Sequence, residues 1–190
     1  GDGVIQIGLQ VRSASHDISR DIADVILRAL ETEPGEQVLQ GALPGPGPRL
    51  QDIVDPAQPF NATVHEGFDF WVEGQELEGD AATSLERANE SVVPTVHLTA
   101  LRSAYWVRIG ERAHIRLVLP DEEAAATDAL ARLHAAGDDA LGEGTRLLGA
   151  FRACGLLVPV WDLDPDLEPS AHEEHLTAWG TRYTAALADP

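Results

Sequence analysis

Hydrophobic positions along this chain follow two rhythms, one of period two and one of period 3.6, and together they predict strands interleaved with helices. From Gly3 to Val11, Ile5, Ile7, Leu9 and Val11 alternate with Gln6, Gly8 and Gln10, the pattern of a half-buried strand. Ile18, Ile22, Val25 and Ala29 recur at helical spacing, widened by Ile26 and Leu30, with Ser15 or Asp17 placed to cap. Glu33-Pro34-Gly35 stops that helix. Gly41 to Pro48 suits neither helix nor central strand and reads as an extended connector or surface loop. Leu50 to Val54 predicts a short strand.

The densest chemistry lies in His65-Glu66-Gly67-Phe68-Asp69-Phe70-Trp71-Val72. Read as a strand from Ala62, it puts Ala62, Val64, Glu66, Phe68, Phe70 and Val72 on one face, and Thr63, His65, Gly67, Asp69 and Trp71 on the other. Glu66 is then a carboxylate on an apolar face, which a bulge at Gly67 would turn outward. His65 and Asp69 would stand about 13 Å apart along such a strand and meet only across a tight bend at Gly67.

Further on, Ala81 to Ser91 predicts a surface helix with a sparse apolar face, and Val92 to Leu98 an edge strand interrupted by Pro94. Ala104 to Leu119 is the clearest hairpin, with Gly110-Glu111-Arg112 as its turn. That turn places Arg108 and Arg116 on one face with Trp106 and His114, a candidate anion or partner site unless the chain's own acidic Asp162 to Glu168 covers it. Asp121 is positioned to cap a helix anchored by Leu130 and Leu133 and ended by Gly137. Gly142-Glu143-Gly144-Thr145 reads as another helix start, with Leu147, Phe151 and Cys154 on its buried face. It lacks the lysine and length of a phosphate-binding loop. Leu156 to Trp161 is a buried strand, and Ser170-Ala171-His172-Glu173 forms a capping box before a helix carrying Leu176, Trp179, Tyr183 and Leu187.

Composition narrows the classes. A net charge of −19 argues against general binding to nucleic acid or an anionic membrane. No apolar run reaches spanning length and no signal segment opens the chain, so we expect neither membrane nor export. Cys154 is alone, which excludes an internal disulfide and favours a reducing cytoplasm. His172 and His175 stand three apart on an expected helix but in an acidic segment, where exposed histidines are the rule. We therefore expect no metal and no other cofactor. Methionine is absent, so the chain reads as a fragment of a longer protein. Lysine is absent too, and with abundant Ala, Gly, Pro and Arg this suggests a GC-rich bacterial genome.

Pro44 to Asp52, Val64 to Val72, Ser84 to Asn89, Ala104 to Pro120, Ala129 to Gly137 and Leu141 to Leu163 together resemble an uncharacterised actinobacterial family classed as a domain of unknown function. The resemblance implies a cytoplasmic actinobacterial protein and carries no catalytic residues to transfer.

The expected fold is α+β, a mixed or mainly antiparallel sheet covered by helices. It forms a single compact domain over 1–190, with a division into two similar strand–helix lobes, 1–92 and 93–190, as the alternative. With no catalytic constellation, the first functional expectation is a non-enzymatic interaction module with a protein partner. The alternative is a small-molecule-binding protein or enzyme using His65, Glu66, Asp69 and Trp71, with Trp106, Arg108 and Arg116 as further binding candidates.

Overall fold

The computed structural model describes residues 4–8, 15, 17–38, 41–72 and 76–189. The chain divides into two compact units, Gly1–Ala62 and Thr63–Pro190.

In the first unit, α1 spans Ile18–Leu30, and Asp17 caps it by accepting the Arg20 amide at 3.1 Å. Arg20 also binds the carbonyls of Gly45 and Pro48, which tethers the Gly/Pro-rich loop to the helix. Residues 4–8 form no strand; Gly3 and residues 9–11 of that expected strand lie outside the described residues. Leu50–Ile53 is a single helical turn, α2, and not the expected short strand. The Ser19 hydroxyl accepts the Leu50 amide at 3.0 Å and the Asp52 carboxylate accepts the Arg49 amide at 2.8 Å, so local acceptors satisfy amides that a strand would need a neighbour to satisfy.

The second unit holds a five-stranded antiparallel sheet in the order β1-β2-β3-β5-β4, flanked by helices, so the class is α+β. The strands are β1 Thr95–Leu98, β2 Ala104–Ile109, β3 Arg112–Leu117, β4 Arg146–Ala153 and β5 Leu156–Leu163. The helices are α3 Asp80–Glu90, α4 Glu123–Ala136 and α5 Glu173–Ala188. Single 3-10 turns occupy Asp69–Val72 and Pro169–His172. As expected for its sparse apolar face, α3 buries no residue.

The core lies on one sheet face. Trp106, Ile115, Leu117, Trp161 and Leu163 meet Ala126, Ala129, Leu130 and Leu133 of α4 and Leu176, Trp179 and Tyr183 of α5. Trp161 meets Trp179 edge-on at 4.9 Å, and Trp179 stacks on Tyr183 at 5.0 Å. Asp121 does not cap α4; its carboxylate accepts the Tyr183 hydroxyl at 2.9 Å and Glu122 stands at the cap. Burial and that carboxylate raise the Tyr183 phenol well above its ordinary pKa.

The largest departure from the sequence reading is β4, which was expected to be a helix with Cys154 in its buried face. Gly142 to Thr145 is a turn closed by the Thr145 hydroxyl, which accepts the amides of Leu141 and Gly142, both at 3.0 Å. Gly149 has φ 140°, which no helix allows. Cys154 at φ 51° and Gly155 at φ 83° form a two-residue turn with both φ positive, the geometry that closes a tight hairpin into β5. Cys154 is exposed, not core. Because a non-glycine residue resists this backbone and asparagine tolerates it, Cys154→Asn should raise stability by about 0.5–1 kcal/mol. A lower urea midpoint for this variant would show that the turn does not impose the strain.

Candidate functional site at an open sheet edge

A two-residue turn, Gly110-Glu111, joins β2 to β3 and pairs Ile109 with Arg112, one residue tighter than the sequence suggested. That shift moves the two arginines to opposite faces. Arg108 opposes the buried Ala113 and shares the helix-covered face with Trp106, whereas Arg116 opposes Tyr105 and shares the other face with His114. Arg108 lies over the Trp106 ring at 5.3 Å and donates to the Pro165 carbonyl at 2.6 Å. The acidic segment thus does cover Arg108, but with a backbone carbonyl in place of the expected carboxylate. Arg116 lies over Phe151 of β4 at 5.9 Å, and its buried Nε has no partner among the described residues. Asp162 on that face lies 3.8 Å from Arg146 and 3.5 Å from His114 Nδ1, which makes no hydrogen bond among the described residues.

Phe151 belongs to the edge of the sheet. Strand β4 pairs with β5 alone, and its outward amides and carbonyls have no ladder partner among the described residues. Leu148 at 47 % and Phe151 at 43 % exposure present apolar surface along it. Arg146 and Arg152 flank them with side chains 74 % and 70 % exposed. A register shift between Leu147 and Gly149 bulges the strand. Arg152 donates through Nε to Glu123 at 2.7 Å, and this bond holds the Glu123 carboxyl below its ordinary pKa. The opposite edge, β1, is four residues long and follows Pro94, whose carbonyl accepts the Arg108 amide at 3.0 Å. Shortness and proline close that edge to extension.

The expected strand from Ala62 to Val72 is instead irregular chain ending in the Asp69–Val72 turn. Asn89 of α3 accepts the Phe68 amide at 2.7 Å and donates to Asp69 at 3.1 Å. Those bonds, made by a side chain 21 residues away, bend the chain where alternation predicted extension. Gly67 permits the bend by close approach and forms no strand bulge: a Cβ there would stand 2.7 Å from the Asp69 carboxylate and 2.9 Å from Asn89. Asp69 and Trp71 share the Asp69–Val72 turn, with Glu66 in the bend before it; His65 meets Phe70 of that turn at 4.3 Å, and Phe70 meets Trp71 at 5.5 Å. His65, Glu66 and Asp69 are exposed and Trp71 half-buried, and among the described residues no ring contact or ion pair links them to Trp106, Arg108 or Arg116.

His172 is buried at 1 % exposure, contrary to the expected exposed helical histidine, and neither ring nitrogen has a partner among the described residues. Burial, with His175 nearby, pushes its imidazole below the ordinary pKa against the pull of Asp164. Among the described residues, no group of three or more His, Cys, Asp or Glu side chains could hold a metal ion, and no helix is long and apolar enough to cross a membrane.

The open edge escaped the sequence reading because Leu147, Phe151 and Cys154 fit a helical stripe. The signal that could have found it is the Cys154-Gly155 dipeptide between two apolar runs, a hairpin pattern. What β4 offers chemically is a row of free main-chain donors and acceptors flanked by apolar and cationic side chains, a surface for recognition. No curated protein and no solved structure matches the chain. The family of unknown function (DUF5926) matches it over residues 1–190, and the chain belongs to that family.

Proposed function

We propose that this chain is a non-enzymatic, cytoplasmic protein-interaction module that binds an extended segment of a partner as a sixth strand beside β4. The observation that carries this reading is the open eight-residue edge with Leu148 and Phe151 exposed along it. Strand addition derives affinity from main-chain hydrogen bonds and selectivity from side chains at alternate positions, and β4 supplies both. The lone cysteine supports a reducing compartment, and the arginine-only, lysine-free composition supports an actinobacterial source.

Peptides selected from a random display library test the reading by hydrogen–deuterium exchange. Bound peptide should slow amide exchange in residues 146–153, and Leu148→Asp with Phe151→Asp should weaken binding about tenfold or more, as the apolar contacts are lost and charge on an edge opposes pairing. Selected peptides that protect other residues and leave β4 unchanged would overturn it.

A further inference from the structure

We propose that the segment docking on β4 is acidic and that Arg116 holds one of its carboxylates over Gly149. This rests on the strand-addition reading and adds the partner's chemistry. The register puts Arg116 of β3, Val160 of β5 and Gly149 of β4 in one row across the sheet. A residue of an added strand opposite Gly149 continues that row. Three strand spacings put its Cα roughly 14 Å from that of Arg116. An extended arginine reaches ~7 Å and a glutamate ~5 Å at ordinary bond lengths, together roughly the separation, so the two side chains can meet along the row without either strand shifting.

Nothing on β4 obstructs that path. Gly149 has no side chain, and a Cβ built there would meet no atom within 4 Å. The Arg116 guanidinium already leans toward β4, over Phe151. Among the described residues no carboxylate forms an ion pair with it, while Asp162 of the same face stands 3.8 Å from Arg146. Arg146, on the same face and 74 % exposed, adds positive charge at the start of the strand, and the strand itself carries no acid. On a chain of net charge −19, Arg116 and Arg146 make this face of the edge complementary to an acidic segment and unfavourable to a basic one.

The probe is a synthetic alternating peptide with valine on one face and glutamate on the other, beside its glutamine and lysine counterparts. Titration calorimetry should show the glutamate peptide binding about tenfold or more tightly than the glutamine one, the range of a charge-assisted hydrogen bond. Arg116→Gln should erase most of that ratio, and the exposed Arg146→Gln should reduce it in part, with circular dichroism confirming that both variants fold. If the glutamine peptide binds equally well and still protects residues 146–153, the acidic preference is wrong and strand addition stands. The same holds if neither arginine variant changes the ratio. If no peptide protects β4, both the inference and the reading beneath it fail.

Discussion

Trp161→Ala is expected to destabilise the second unit by about 4 kcal/mol, within the range for deleting a buried tryptophan side chain. Trp161 has no exposed surface and sits where three elements meet. Its strand neighbours are Ile115 on β3 and Leu147 on β4, and Trp179 of α5 meets its ring edge-on at 4.9 Å. Its indole N–H donates to the Asp139 carbonyl at 2.8 Å, fixing the loop after α4. Truncation therefore opens a cavity and removes a donor from a partly buried carbonyl. Domains of this size are held by ~5–15 kcal/mol, so this one change removes a large share of the total. Trp161→Phe keeps much of the ring volume and should cost less than half as much. Urea unfolding followed by far-UV circular dichroism checks both; a loss under about 1 kcal/mol for Trp161→Ala would be incompatible with a ring packed at the centre of the core.

Glu173→Ala is expected to cost about 2 kcal/mol, in the range for losing charge-assisted hydrogen bonds at a partly exposed site. Its carboxylate accepts the Thr99 amide at 2.8 Å and the Ala100 amide at 2.6 Å, and so pins the loop between β1 and β2 to the start of α5. It caps a loop 74 residues away and not its own helix, as a capping box would have it. Burial alone would raise its pKa, but the Thr99 and Ala100 bonds outweigh burial and hold it below the ordinary 4.5. A carboxyl whose folded pKa is depressed stabilises the fold above its unfolded pKa and loses that contribution as pH falls through the folded value. The advantage of the native chain over Glu173→Gln should thus be full at pH 6 and shrink below about pH 4.5. A stability difference that stays constant down to pH 3 would mean that the carboxylate charge is not what binds the loop.

Where an element's stability is local, the sequence was enough to read it. The apolar stripe and the Asp17 cap place α1, and Gly137 ends α4 in the left-handed conformation at φ 75°. Leu176, Trp179 and Tyr183 are buried along α5 as their spacing requires, and the β2–β3 hairpin follows its alternation. Each of these depends on contacts within a turn or between adjacent strands, which period and capping residues encode directly.

Tertiary structure decided the rest, because periodicity states which side chains share a face and not whether a partner exists for that face. Phe68 to Val72 alternates like a strand, yet among the described residues no strand pairs it, and Asn89 accepts the Phe68 amide. Leu147 and Phe151 fit a helix, yet Gly149 and the Cys154-Gly155 turn fold them into a hairpin on β5, which creates the open edge. One residue in the length of the β2–β3 turn separates Arg108 from Arg116, since side-chain direction reverses at every position. His172 lies in an acidic segment that reads as exposed, and it is buried because the turn before α5 packs against the sheet at β1. What the sequence by itself determined is the α+β inventory of this protein and its charge. Which edge stays open, and which sheet face each hairpin arginine takes, follows from long-range pairing, where hydrogen-bond partners distant in the chain outweigh local preference.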